Sequence, residues 1–398
     1  MSRLVGNYSV TLKFGNEVVQ LNPMTSEKFV ITQDMNSLLP RLDLRFKDPT
    51  GMLTHTIPFD KAMSRIRVEI NNKDGEDVVN SFDFVVYRRM PQAAFGTSAY
   101  YDVSALLDVG KPFAPSYCRS FNQSIKTTLG EIAQDELGCD RMEIENSLNY
   151  VKHLVQPSWN NVTFFNWLKA NLVGRSGEYG YKIFIRMKDN YRNFTVSSIY
   201  NMFYGDPLYK FVVSDDPYKD RLPIYDYEAY DNYKYFGAFG SKAQNYGYFD
   251  YMNSGFVEND LSIDDFMSLT RYHMIDQEDS EDSASVNIEG RTNEFTSDFE
   301  GPMMNRYFGR MSGLSKMWVL IGGLENISPG DMVSIFFPQG VKATANVFSY
   351  QYNGNWLTER VVHDFGRTFK TRLLLTRNGF DTDQDTTLVP AVKRNKTK

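Results

Sequence analysis

Apolar and polar residues alternate with a two-residue period over long stretches of this chain, and that alternation predicts strands. Tyr8–Phe14, Leu42–Phe46, Arg65–Ile70 and Ser81–Tyr87 follow it. Between the last two, Asn71-Asn-Lys-Asp-Gly-Glu-Asp77 supplies turn residues, so the pair reads as a hairpin. A second strand block comprises Met317–Ile321, Met332–Phe337, Asn346–Tyr352, Trp356–His363 and Phe369–Thr376. Pro329-Gly330-Asp331 punctuates it, and so does Asn353-Gly354, a strong hairpin signal because both central positions favour positive φ. Strands this closely spaced predict a small barrel or sandwich.

Between the two blocks the period changes. Gly110-Lys-Pro-Phe-Ala-Pro115 breaks the first block, because proline cannot continue a central strand. Ser120 and Gln123 have the spacing of a capping box, and Phe121, Ile125, Leu129, Ile132 and Leu137 recur as one helical face, with Gly138 as its stop. A second helix is expected over about Asn161–Val173, with Val162, Phe165, Leu168 and Leu172 on one face and Gly174 ending it. Tyr179–Phe203 returns to strands through a Lys188-Asp-Asn turn. Further on, Pro302 with Met303, Tyr307, Met311 and Leu314 fits another helix start. Beyond Phe380 no core-forming pattern remains, so residues 380–398 read as a flexible tail.

Composition narrows the class. A chain of 398 residues with 42% hydrophobic and 23% charged residues is a folded globular protein of several cores. Aromatic residues make up 15%, a level that suits strand-rich folds and large interfaces. The net charge is −6, and four positive charges lie at Lys393, Arg394, Lys396 and Lys398, so the rest of the chain carries −10. An acidic body argues against nucleic-acid binding through phosphates. Two cysteines, Cys118 and Cys139, are too few for a disulfide framework and fit synthesis in a reducing cytoplasm. No apolar signal core opens the sequence, and no run reaches the length of a membrane span.

The motifs of common chemistry are missing. The sequence holds no phosphate-binding Gly-rich loop ending in Gly-Lys-Ser or Gly-Lys-Thr, and no serine sits in a Gly-x-Ser-x-Gly elbow. His55, His153, His273 and His363 are isolated. Asp381, Asp383 and Asp385 have the spacing of calcium ligands, but Thr386 and Val392 stand where such a loop needs Gly and Glu. The expectation is a non-enzymatic chain with no cofactor and no metal.

Nine tyrosines between Tyr218 and Tyr251, interleaved with Gly237, Gly240 and Gly247, are the most concentrated candidate for recognition. One reading makes them caps of the core and an intersubunit seam, with Tyr225, Tyr227, Tyr230, Tyr233 and Tyr235 at the interface. The other makes them a stacking platform for sugars or single-stranded bases, with bases disfavoured because few Lys or Arg are present to hold phosphate.

In order, these pieces resemble the central baseplate hub proteins of contractile-tailed bacteriophages. The carriers are the N-terminal strand block, Gly110–Pro115, the helix with Ile125, Leu129, Gly130 and Ile132, and the Pro157-Ser-Trp-Asn160 approach to the second helix. Ile327-Ser-Pro-Gly-Asp331, Thr358–His363 and Leu373-Leu-Leu375 complete the set. The resemblance implies a mainly β fold with α+β insertions and two tube-like antiparallel β-barrels. These would span 1–108 and 206–245 with 316–379, around a mixed α/β region at 109–205 and 246–315. It further implies a homotrimer in the virion tail baseplate that adapts a sixfold tail-tube protein to a threefold central spike protein. Other baseplate proteins would be further partners, and DNA would pass transiently through an acidic lumen. A receptor-binding tail protein using the tyrosines, a cell-wall hydrolase and the hub of a non-phage contractile injection system are the alternatives.

Overall fold

A computed structural model describes residues 9–14, 17–21, 26–48, 65–71, 78–93, 99–113, 117–175, 178–213, 220–231, 243–250, 255–262, 284–288, 305, 315–337, 352–366 and 368–377. The fold is mainly β. Seven strands come first: β1 (Ser9–Phe14), β2 (Glu17–Leu21), β3 (Ser26–Asp34), β4 (Arg41–Asp48), β5 (Arg65–Asn71), β6 (Val78–Ala93) and β7 (Ala99–Leu107). They form a curled sheet in the order β3-β4-β7-β6-β5-β1-β2. Alternation sets its faces: Leu42, Leu44 and Phe46 of β4 are buried, while Arg41, Asp43, Arg45 and Lys47 face outward.

The middle region contains β8 (Tyr117–Phe121), α1 (Ile125–Glu131), β9 (Arg141–Ile144), β10 (Leu154–Trp159), α2 (Asn161–Asn171), β11 (Tyr181–Lys188), β12 (Tyr191–Ser198) and α3 (Ile199–Phe203). Each helix has a side-chain N-cap: Ser124, Asn160 and Ser198 accept from the backbone N–H of Thr127, Thr163 and Asn201. The expected capping box at Ser120 is therefore displaced, because Ser120 and Phe121 belong to β8, which pairs with β10. Helix α1 runs on into a π-helical turn, Ile132–Glu136, in which Leu137 N–H donates to Ile132 C=O at 3.1 Å. Gly138, at φ +59°, ends it as expected. Tyr179–Phe203 is a hairpin that finishes in α3 rather than in strand. Asp189 and Asn190, with φ of 50° and 66°, make its tight turn.

The rest of the chain supplies β13 (Tyr209–Val212), β14 (Leu222–Asp231), β15 (Ala243–Asp250), β16 (Gly255–Ser262), β17 (Ala284–Ile288), β18 (Ser315–Gly322), β19 (Met332–Phe336), β20 (Gly354–Phe365) and β21 (Phe369–Arg377). Strands β15–β17 form a separate three-stranded sheet. The other six close on themselves in the order β19-β13-β14-β18-β21-β20, and back to β19. This barrel is filled by Phe211, Met317, Val319, Ile335, Trp356, Val361, Leu373 and Leu375.

Asn353-Gly354 does not form the expected two-residue hairpin. Gly354 has φ 109°, Asn353 is not in the left-handed region, and Tyr352 lies in a helical turn. Asn353 instead accepts from Phe337 N–H through Oδ1, tying the end of β19 to the start of β20. The expected strand Asn346–Tyr352 otherwise lies outside the described residues, as do most of the expected helix after Pro302 and the tail 380–398.

Candidate functional site

The feature that sets the architecture is β20. Its first residues pair with β19 inside the barrel, and Arg360–Asp364 pair antiparallel with Val30–Asp34 of β3. One sheet therefore runs from the N-terminal unit into the barrel. The register shift between Thr358 and Arg360 marks where β20 turns from one neighbour to the other. Phe365 joins the N-terminal core, 4.8 Å from Phe29 and stacked at 4.5 Å on Phe369.

Polar groups lock this seam. Arg360 Nε donates to Asp34 at 2.7 Å, and Met35 N–H donates to Glu359 C=O at 3.0 Å. Glu359 also accepts from Asn36 Nδ2 at 3.0 Å and pairs with Lys316 at 2.7 Å. Asn36 reaches the middle region through Lys182 Nζ at 2.7 Å. Burial and the neighbouring Lys182 charge bring Lys169, also beside Asn36, down to about 8. A small apolar cluster, Met35, Phe184, Met202, Phe203, Met332 and Leu357, joins all three parts beneath the network.

The outward face of the sheet carries matched charges. Arg45 and Arg67 make bidentate pairs with Asp102 and Asp83, Arg41 pairs with Asp43, and Arg65 pairs with Asp108 at 2.8 Å. The Arg45 hydrogen bond holds the Asp102 carboxyl below its usual range. Exposed pairs of this kind contribute about 0–1 kcal/mol each, so their effect is to fix cross-strand neighbours and balance charge. On β14, by contrast, Asp226 and Glu228 are exposed.

A cavity of about 480 Å3 opens between β11, β12, α3 and the Ser328–Asp331 turn. Arg186 spans it, donating to Thr195 at 2.9 Å and to Asp331 at 3.2 Å, and pairing with Glu143. Burial raises the Asp331 carboxyl despite Arg186. The turn itself is held by Ser328 N–H donating to Asp331 at 2.9 Å and by Gly330 at φ +86°. Arg186 thus bonds both carboxylates, Glu143 of the middle region and Asp331 of the barrel, which makes this a clamp between the two.

Of the sequence-derived interface residues, Tyr225 and Tyr230 are 62% and 39% exposed on β14. Tyr227 turns inward, edge-on to Phe337 at 5.1 Å. Tyr233 and Tyr235 lie outside the described residues. The β20–β3 seam was missed from sequence, because a strand partner more than 300 residues away leaves no local signal. Among the described residues no cluster of three or more metal-ligating side chains occurs, and no helix is long and apolar enough to cross a membrane. His153 is bonded to Asn122, and His363 is buried.

The fold has known counterparts. The 43 kDa tail protein of prophage MuSo2 from Shewanella oneidensis superposes with a TM-score of 0.59 at 12% identity, over 94% of this chain and 99% of that one. A tail protein from Neisseria meningitidis MC58 gives 0.55 at 10% identity, over 94% and 98%. A chain of the Francisella PdpA–VgrG complex gives 0.52 at 11% identity, over 94% of this chain and 53% of that one. No protein-family model and no curated protein matches the sequence. The chain thus shares the mainly β fold of these tail proteins along nearly its whole length.

Proposed function

We propose that the chain is the central hub of a phage tail baseplate, a structural homotrimer that adapts a sixfold tail tube to a threefold spike. The observation that carries this reading is the continuous sheet joining the N-terminal unit to the closed barrel through β20 and β3. Two barrel-like blocks held rigidly side by side in one chain give three chains six blocks around an axis. The full-length likeness to two tail proteins, one of them from a prophage, supports the same reading. On it, the tube-like units occupy 1–108 and 206–245 with 316–379, the α+β region 109–205 and 246–315, and the lumen passes DNA. Tail-tube protein above, spike protein below and neighbouring baseplate proteins are the partners, and the chain resides in the virion after synthesis in the host cytoplasm.

Light scattering across a concentration series, followed by electron microscopy, tests it. A particle of three 45.9 kDa chains with a pseudo-sixfold ring is expected. A monomer at all concentrations, with and without spike protein, would overturn the reading. Zymography against host cell walls should show no clearing. A second reading rests on exposed Tyr225 and Tyr230, which offer aromatic faces to a sugar. Glycan binding lost in Tyr225→Ala/Tyr230→Ala would favour it. The hub of a non-phage contractile injection device would share the same mechanics, and copurification with phage particles separates the two.

A further inference from the structure

Two lysines at the β20–β3 seam have no carboxylate of their own among the described residues. Lys169 comes from α2 and Lys182 from β11, and both reach Asn36, two residues beyond the end of β3. Lys182 Nζ donates to Asn36 Oδ1 at 2.7 Å, and Lys169 Nζ donates to the Asn36 carbonyl at 3.4 Å. Asn36 is neutral, so neither bond offsets an ammonium charge. The carboxylates of the seam are engaged elsewhere. Asp34 takes Arg360 on Oδ2 at 2.6 Å and the Asn36 N–H on Oδ1 at 2.8 Å. Glu359 takes Lys316 on Oε2 at 2.7 Å and Asn36 Nδ2 on Oε1 at 3.0 Å. Every carboxylate oxygen of the pair is thus occupied. Lys169, Lys182, Lys316 and Arg360 face Asp34 and Glu359, which leaves two positive charges in excess among the described residues.

The excess sits where charge is costly. Burial lowers the pKa of both lysines, Lys169 to about 8. A neighbouring ammonium adds to this in each case, Lys182 acting on Lys169 and Lys316 on Lys182, and Asp34 and Glu359 offset it only in part. Yet Asn36, the residue that joins the two lysines, is exposed, so water and small ions reach the rim of the seam. Each ammonium has three N–H donors and spends one on Asn36, so both keep donors for a ligand. Charge-assisted bonds from paired cations suit an oxyanion. A surplus of two charges is matched by a tetrahedral dianion, whereas a carboxylate or a phosphodiester brings only one.

We propose that Lys169 and Lys182 form a binding site for one inorganic oxyanion of the sulfate or hydrogen phosphate class, seated at Asn36 where α2, β11 and the β3–β20 seam meet. The ion neutralises the seam and ties the middle region to the sheet that joins the two strand blocks. The site lies within a single chain and does not depend on the trimer, so its failure leaves the hub reading untouched.

Isothermal titration of the full chain with sodium sulfate, in chloride buffer at fixed ionic strength, tests it. One sulfate per chain is expected, and Lys169→Gln or Lys182→Gln should each weaken binding by about tenfold or more. Lys126→Gln, on α1 and outside the seam, should bind as the wild type does. Sulfate keeps both charges across the range, so its affinity should fall as pH rises above about 8, where Lys169 loses its proton. Sulfate should also raise the melting temperature of the wild type and of Lys169→Arg/Lys182→Arg, which keeps both charges, but not of Lys169→Gln/Lys182→Gln. Far-UV circular dichroism confirms that each variant is folded. No saturable binding to the wild type overturns the proposal. Equal binding to the folded Lys169→Gln/Lys182→Gln chain also overturns it, and marks an adventitious ion only. Dimethyl phosphate, a singly charged diester, should bind at least about tenfold more weakly than sulfate, and equal affinity overturns the assignment to a dianion.

Discussion

His363 lies on β20 where the two halves of the molecule are joined, opposite Ile31 of β3 and Thr371 of β21. It is 5% exposed and sits among Ile31, Phe82, Met187, Phe365 and Phe369, with Gln33 and Glu325 as polar neighbours. Nδ1 is 3.3 Å from Thr371 Oγ1. Burial lowers its pKa from 6.5 to about 4, because the imidazolium would lose its water there. Between those values the unfolded chain binds a proton that the folded chain refuses, so stability falls as pH drops from 6.5 towards 4. The loss from this residue is about 2 kcal/mol by pH 5 and about 3 kcal/mol by pH 4. His363→Leu keeps the site apolar, loses at most about 1 kcal/mol at pH 7.5 with the Thr371 contact, and removes the titration. Urea unfolding of both proteins from pH 7.5 to 4 measures the effect. Carboxylate titrations are common to both, so they cancel in the difference between the curves. The gap should move by about 3 kcal/mol in favour of the variant as pH falls. Parallel curves would refute the account of His363 as a buried neutral group at the seam.

Gly323→Ala should destabilise by about 1–3 kcal/mol, because its Cβ would lie 2.0 Å from the Phe369 ring, which is itself fixed against Phe365; thermal melting reads this directly. Arg186→Met strands Asp331 in a buried site and should cost about 3–5 kcal/mol, with part of it recovered in the double variant with Asp331→Asn, both by urea unfolding. Exposed Cys118 should react rapidly with a thiol reagent in the native state, whereas buried Cys139, its thiol pushed up to about 12, should react after unfolding. One fast thiol per native chain and two per unfolded chain is the expected count.

Local chemistry made the elements legible. Alternation located β4, β5, β6, β18, β20 and β21, and Gly138, Asn160 and the Lys188-Asp-Asn turn marked real boundaries. The errors arose where tertiary contacts outweighed a local rule. Ser120 lost its cap role because pairing with Val155 holds it in a strand. Asn353 gave up a hairpin turn to satisfy the backbone of Phe337. The Arg186–Asp331 clamp and the β20–β3 seam join residues distant in sequence, and neither has a motif. Of the tyrosines, composition pointed to β14, and alternation alone separates exposed Tyr230 from inward Tyr227, but the exposure of Tyr225, two residues from Tyr227, comes from the register shift at Ile224/Asp226.

The seam also sets a timetable for synthesis. Asp34 meets Arg360 across 326 residues of chain, so β3 emerges from a ribosome long before its second neighbour exists. At about 5–20 residues per second, that edge stays open for roughly 16–65 s. The apolar side of β3, Phe29 and Ile31, is exposed to chance pairing throughout that interval. A chain interrupted before Gly354 lacks β20 and β21 and leaves β3 without its second neighbour.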